Sequence, residues 1–426
     1  MAEGGIEKDR IMTFSRMTTL LVFIVSIVVS TMAYPTVIRF AKRHNIVDNP
    51  NARKLQRVPV PILGGVVVYI GIIAGMVMLF FFLKEPLLLW GLLAMTVLML
   101  IGIWDDIKDL SASLRFFVEI VMVSLFIVMT DVYIDDFHGL WGIDELSPWI
   151  GIPFSVFVGV GIINAVNLID GVDGYSSGYG MMACMIFAIT FHTVWSTAMV
   201  CMAVIVTGAL LPFFMHNVFG VRSKMFIGDG GTLMLGMLMT VFLFFALSSK
   251  TRCNGLEDAG ICLPALCVAV MCVPVFDTLR VMTMRILRGK SPFQPDKTHL
   301  HHLFIDMGYS HLGSALAILS MNAAVVAIWF LHWQLGASFD VQAYVVIGLG
   351  ILVTFVFYKV MKTQQNSGPL DEEGYPQGTW LWHKFCYIGT FSHREKRRIW
   401  RYLRWLMDKQ FYRPIHPIRS FRHKHS

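Results

Sequence analysis

The feature that most constrains this chain is a series of apolar runs, each about 17–25 residues long and almost free of charge. A helix needs that length to cross the hydrocarbon core of a bilayer, where every backbone polar group must find its partner within the helix itself. Eleven such runs can be read: 17–38, 61–83, 86–104, 114–130, 149–168, 175–191, 194–214, 232–247, 261–279, 314–333 and 341–360. The expected fold is therefore all-α and polytopic in the membrane. Only 15% of residues are charged, against about 25% in soluble domains, which excludes a soluble enzyme. Residues 1–16 form an N-terminal extension, 17–361 a transmembrane domain and 362–426 a basic tail. The first run has no small-residue cleavage site after it, so it is expected to remain as an anchor.

Basic residues orient the bundle. With the N-terminus outside, the inner segments and their borders hold 29 of the 35 Lys and Arg residues, and the outer segments hold 6. This bias predicts N-out and C-in. The net charge of +7 then reads as topology and contact with anionic lipid, not as nucleic-acid binding.

On this topology the costly polar residues gather on one side. IGIWDDIKDL carries Asp105, Asp106 and Asp109. NAVNLIDGVDG places Asn164, Asn167, Asp170 and Asp173 three residues apart, one slowly drifting stripe on a helix. FIGDGGT carries Asp229, PVFDTLR carries Asp277 and Arg280, and DKTHLHH carries Asp296, His299, His301 and His302. One such cluster alone is a solvated helix end. Five on the same face, at the ends of separate helices, are candidates for one interfacial cavity. Carboxylate and amide oxygens without cysteine favour a hard cation, Mg2+ with Mn2+ as substitute. The His group lies among Arg280, Arg285, Arg288, Lys290 and Lys297, which suits an anion cradle better than zinc. A cation with an anion cradle at a membrane surface suggests phosphoryl transfer between a soluble nucleotide substrate and a lipid. A membrane transporter is the alternative of a different class. It would more often show an inverted repeat and mid-span acids, and neither is visible.

The motifs DDIKD, NAVNLIDGVDG, FIGDGGT and DKTHLHH, in this order, resemble the polyprenyl-phosphate N-acetylhexosamine-1-phosphate transferase family over roughly residues 17–330. The resemblance implies a Mg2+-dependent enzyme of the bacterial cytoplasmic (inner) membrane with a cytoplasmic active site. It would move N-acetylhexosamine-1-phosphate from a UDP-sugar to undecaprenyl phosphate and release UMP. The His loop resembles the N-acetylglucosamine branch more than the UDP-MurNAc-pentapeptide branch of peptidoglycan synthesis. Carried over by motif, Asp105, Asp106, Asp170 and Asp173 are the expected catalytic residues. Asn164, Asn167, Arg115, Arg280, His299, His301 and His302 are expected to bind substrate, and Asp229 with Asp173 to hold metal. Arg115 stands where the family usually has Lys, and Glu119 where Gln is common. The expected partners are UDP-N-acetylhexosamine, undecaprenyl phosphate and membrane lipid, with homo-oligomers left open.

Two further expectations concern the periphery. The tail pattern Ile399, Tyr402, Leu403 and Leu406 opposite Arg397, Arg398, Arg401 and Arg404 predicts an interfacial helix, remote from the chemistry. Cys253 and Cys262 flank the outer loop NGLEDAGI and are a candidate disulfide of an oxidising compartment.

Overall fold

The computed structural model describes residues 2–49, 58–293, 297–366 and 402–409. Asp296, Ile399, Arg397, Arg398, Arg401 and the proposed linker 369–379 lie outside the described residues. The described chain is helical almost throughout. It begins with α1 (Ala2–Arg43), a small antiparallel ribbon of β1 (Val47–Asp48) and β2 (Val60–Pro61), and then α2 (Gly64–Phe82), α3 (Pro86–Lys108) and α4 (Ala112–Thr130). There follow α5 (Pro148–Leu168), α6 (Tyr175–Thr193), α7 (Thr197–Phe219) and α8 (Gly228–Ala246). The last group is α9 (Leu263–Val270), α10 (Cys272–Leu287), α11 (Leu300–Asp306), α12 (His311–Gln334), α13 (Phe339–Ile351) and α14 (Phe357–Asn366), with one π-helical stretch, Leu352–Val356, joining the last two.

Nine of these described helical stretches are long and apolar enough to cross a membrane, or ten if the bent pair α9–α10 is one span. The expected count of eleven needs correcting on this criterion. The missing span is α6, whose opening YSSGYG is too polar to qualify. It nevertheless forms a hairpin with the 23-residue α7, and the two meet where Asn217 Oδ1 accepts from Gly174 N at 2.7 Å. It therefore runs to the same depth as its neighbour.

The expected ninth span is broken, with a 71° bend between α9 and α10. Pro274 cannot donate to the carbonyl of Val270 and its ring crowds that carbonyl. Asn322 of α12 satisfies the freed groups. Its Nδ2 donates to Val270 O at 3.1 Å and Ala269 O at 3.3 Å, and its Oδ1 accepts from Val273 N at 2.9 Å. Broken backbone at membrane depth is tolerated on that condition. The bend aims α10 and its Asp277 toward the His loop.

Helix α8 is the axis of the bundle, with 89% of its apolar window buried. Small residues bring its neighbours to backbone contact. A Cβ on Gly102 of α3 would lie 2.4 Å from Gly230 N, one on Gly65 of α2 2.5 Å from Gly231 N, and one on Gly236 of α8 2.6 Å from Ile163 Cα of α5. Without a hydrophobic drive between helices in lipid, such close packing supplies much of the association.

Successive crossings place segments 44–49, 58–63, 109–111, 169–174, 220–227, 288–293 and 297–299 on one face, together with the end of α14. The segments 131–147 and 247–262 lie on the other. On that other face Cys253 and Cys262 are both buried and free, so the candidate disulfide is not formed. Residues Arg252–Ala259 wind as a 3-10 helix that turns Cys253 inward, while Cys262 caps α9 and its N–H donates to Gln342 Oε1 at 3.2 Å. The tail also departs from expectation. Its helical residues 402–409 are seated on the bundle, with Asp408 buried against residues 221–223.

Candidate active site

The ends of eight helices, with the loops between them, enclose a cavity of about 560 Å³ on the face just described. Its lining includes Asp48, Asp105, Asp106, Asp109, Asn167, Asp170, Asp173, Asp229, His299, His301 and His302. Of the residues expected to form the site, only Asn164, Arg115 and Arg280 do not line it.

The close crossing of α3 and α8 puts the Asp pair next to the Gly-Asp motif. Asp105 Oδ1 accepts from Leu110 N at 2.8 Å, and its Oδ2 accepts from Arg115 Nη1 at 2.9 Å. Asp106 Oδ2 lies 3.5 Å from Gly230 N at the start of α8. Gly228 has φ +71°, and a Cβ there would strike Ile62 O at 2.4 Å and Asp106 Oδ2 at 2.6 Å. No other residue adopts that turn without strain. Asp106 and Asp229 consequently repel each other across a short gap.

Arg115 does not reach into the cavity as a phosphate grip. It is shared among carboxylates: Asp105, Glu119 at 3.7 Å and Asp229 at 3.6 Å. Glu119, fully buried, also receives a short hydrogen bond from Asn164 Nδ2, which in turn donates to Val160 O at 2.9 Å. Arg115, Glu119 and Asn164 thus form a strut that pins α4 to α5 and holds Asp105. This accounts for Glu119 and moves Asn164 and Arg115 from substrate contact to support.

The loop after α5 carries the other acids. Asp170 Oδ1 accepts from Ser176 Oγ at 2.7 Å. Its carboxyl opens onto the cavity, with the negative Asp229 and Asp173 nearby to push it up from the usual carboxylate range. Asp173 Oδ2 is taken by Lys224 Nζ at 2.5 Å and lies 3.3 Å from His311 Nδ1. An aspartate already paired with a lysine is a poor second metal ligand, so Asp106 and Asp170 suit that part better than Asp173. Asn167 lines the cavity beside Asp229, with its side-chain amide turned toward that carboxylate.

The His loop is held from below by Asp277. Its Oδ2 accepts from His299 Nδ1 at 2.9 Å and Leu300 N at 3.2 Å, and its Oδ1 accepts from Arg280 Nη2 at 2.7 Å and Nε at 3.2 Å. Arg280 also donates to Thr298 O at 2.5 Å and stacks 3.8 Å from the Tyr358 ring. Arg280 is therefore a buried brace, 2% exposed, rather than a substrate contact. Arg285 lines the cavity in its place. His301 packs against the Gly171 backbone so tightly that a Cβ there would meet its Nε2 at 2.0 Å. Burial first, then the neighbouring His302 and His299, hold His301 well below the usual imidazole range, so it is neutral at pH 7.

Lys224, His311, Asn217 and Ser176 take part in the site although sequence reasoning did not assign them, and of the cations expected to form the anion cradle Arg285 lines the cavity. Lys224 stands five residues before Asp229, where only tertiary contact reveals its partner. His311 opens α12 behind the N-cap Ser310, and no local signal marks it.

The seven cavity aspartates outweigh Arg285 and the adjoining Arg115 and Lys224. A net-negative set of carboxylates suits a hard divalent cation, which would have to draw these oxygens together, since among the described residues only a group elsewhere has its ligand atoms within 4.8 Å of one another. The tight group Asp136, His138 and Glu257 lies on the opposite face and is not part of this centre.

Residues 88–247 match the family described as Glycosyl transferase family 4. The chain is 30% identical over 298 residues to the undecaprenyl-phosphate alpha-N-acetylglucosaminyl 1-phosphate transferase of Escherichia coli (strain K12), covering 68% of this chain and 77% of that protein. It is 30% identical over 297 residues to the probable undecaprenyl-phosphate N-acetylglucosaminyl 1-phosphate transferase of Bacillus subtilis (strain 168), covering 70% and 80%. It is 31% identical over 301 residues to the decaprenyl-phosphate N-acetylglucosaminephosphotransferase of Mycobacterium leprae, covering 65% and 74%.

Proposed function

The chain belongs to the glycosyl transferase family 4 of polyprenyl-phosphate N-acetylhexosamine-1-phosphate transferases, and from this premise we propose that it transfers N-acetylglucosamine-1-phosphate from UDP-N-acetylglucosamine to undecaprenyl phosphate. The reaction forms a P–O bond between a lipid phosphate oxygen and the β-phosphorus of the UDP-sugar. It breaks the α–β bridge, and UMP leaves. The catalytic domain is 17–361, in the bacterial cytoplasmic membrane, with the cavity facing the cytoplasm. The observation that carries this reading is the convergence of the Asp105–Asp106, Asp170–Asp173, Asp229 and His299–His302 motifs on one cavity, from separate helices.

The lipid phosphate has a second pKa of about 6 and is largely dianionic at neutral pH, so its oxygen needs little activation. The barrier is the approach of two anions. A divalent cation, Mg2+ or Mn2+, held by Asp229, Asp106 and Asp170, would supply positive charge to the diphosphate. The protein's own groups do the rest. Asp105, held in place by Arg115, orients the incoming phosphate and accepts its residual proton. Asp277 is an acceptor only, so His299 carries its proton on Nδ1 and keeps a fixed ring plane toward the cavity. Neutral His301 donates one hydrogen bond without adding charge. Lys224 and Arg285 face the leaving UMP, and Asn167, beside Asp229, lines the part of the cavity that takes the nucleotide. Such preorganised donors cost no reorganisation during reaction.

The test is release of UMP and formation of a lipid-linked sugar by membranes containing the protein, given undecaprenyl phosphate and a panel of UDP-sugars. Asp229→Asn keeps the volume and removes the charge. Turnover is expected to fall at least about 100-fold while the variant still inserts. Activity near that of the wild type at ordinary Mg2+ would refute the metal role. Selective use of UDP-MurNAc-pentapeptide would refute the sugar assignment.

A further inference from the structure

The most unusual contact outside the catalytic motifs is made by the tail. Asp408 Oδ1 accepts four hydrogen bonds, from Val221 N at 3.3 Å, Arg222 N at 3.1 Å, Ser223 N at 3.2 Å and Ser223 Oγ at 3.1 Å. Three successive backbone N–H groups converging on one carboxylate oxygen make an anion nest, here filled from the far end of the chain. With the tail in place Asp408 is 7% exposed and Ser223 is fully buried, so this contact is largely shielded from water.

The carbonyls of the same turn are held from the other side. Tyr34 Oη donates to Ser223 O at 2.8 Å and Lys42 Nζ to Arg222 O at 2.9 Å, both from α1. The next residue is Lys224, whose Nζ reaches Asp173 at 2.5 Å and lies 5.6 Å from the Phe226 ring centre. Asp173 and Phe226 both line the cavity. The turn is thus clamped between α1 and the tail, and its next side chain is a cation of the site. Around Asp408 the tail helix exposes Tyr402, Trp405 and Leu406, with Lys409 Nζ 4.8 Å from the Trp405 ring. Aromatic and basic groups of this kind suit the headgroup layer, which would hold the helix at the level of the turn.

We propose that Asp408 is a positioning residue of the active site: by filling the nest at residues 221–223 it fixes the turn that sets Lys224 on Asp173, so the C-terminal tail completes the nucleotide-diphosphate end of the cavity. This rests on the transferase reading given above. It extends that reading to a segment outside residues 88–247, which carry the family match.

The test compares Asp408→Ala, Asp408→Asn, Lys224→Ala and the Asp408→Ala/Lys224→Ala double variant in the full-length enzyme. Loss of one charge-assisted contact corresponds to about tenfold. Asp408→Ala is expected to raise KM for the UDP-sugar about tenfold, with kcat changed much less. Asp408→Asn keeps an acceptor oxygen and is expected to stay within about threefold of wild type. The double variant is expected to be no worse than Lys224→Ala, because the tail acts through that lysine. An unchanged KM in Asp408→Ala, or losses that multiply in the double variant, would overturn the proposal. If the alanine variant does not accumulate, Asp408→Glu replaces it. The extra methylene should shift the turn and raise KM, and wild-type kinetics there would equally overturn the proposal. Calorimetric titration of UDP gives a readout besides turnover, with weaker binding expected for Asp408→Ala. A wild-type protein that binds UDP but transfers no sugar phosphate would sink the transferase reading and leave the clamp standing, whereas equal UDP affinity in both forms would sink the clamp alone.

Discussion

Replacing Asp277 with Asn is the sharpest structural test of the His loop. Four donor groups meet its two oxygens: Arg280 Nη2 and Nε on Oδ1, and His299 Nδ1 and Leu300 N on Oδ2. An asparagine keeps one acceptor and turns an NH2 toward the other set, so one side must face donor against donor. If the amide faces Arg280, a guanidinium that is 2% exposed loses its counter-charge. Breaking a buried pair on one side costs about 3–5 kcal/mol. If it faces His299, the ring loses its orienting acceptor, and a displacement of order 1 Å in a positioned group costs about 100-fold in rate. The variant is therefore expected either to unfold earlier in an SDS titration, by about 3 kcal/mol or more, or to lose about 100-fold in kcat. The double variant Asp277→Asn/Arg280→Met removes the stranded charge. It should recover much of the stability and of the rate, since the amide oxygen can then face His299 Nδ1 and Leu300 N. A single variant within about 1 kcal/mol of wild type and with near-normal turnover would refute the role given to Asp277.

Three other outcomes follow from the geometry. Gly102→Ala places a Cβ 2.4 Å from Gly230 N on the backbone of α8, so α3 must shift and carry Asp105 and Asp106 away from Asp229; activity should fall by about tenfold or more, and wild-type kinetics would contradict the close crossing. His301 is neutral in the folded state with a lowered pKa, so the unfolded chain takes up the extra proton. Its contribution to stability is complete above pH 6.5 and is lost as pH falls below it; a 15N-histidine spectrum showing His301 protonated at pH 6 would contradict this. Burial pushes the Cys253 and Cys262 thiols up to about 12 and about 11, so a membrane-impermeant maleimide should label neither until the protein is denatured, and rapid labelling of either in intact cells would refute the buried, unpaired placement.

The sequence by itself determined the class of fold and the chemistry of the site. Apolar length alone forces helices in a bilayer, because no other open element satisfies its backbone there. The polar residues placed against that cost at 105–109, 167–173, 229 and 299–302 all proved to line one cavity. Local pattern could not distinguish residues that face the cavity from residues that brace it. Arg115, Asn164 and Arg280 carry the same chemistry as true contacts, but partners 10, 45 and 18 positions away hold them in struts. The bend at Met271 was likewise unreadable as geometry, since Pro274 marks only where a helix weakens and Asn322 on another helix decides that the break is stable. Lys224, His311 and Asp408 acquire their roles only when the bundle closes, because each is defined by a contact between segments far apart in the chain. Periodicity and composition report what one element does to its own neighbourhood, whereas a long-range pair is set by packing, here by glycines that let α3 and α2 touch the backbone of α8.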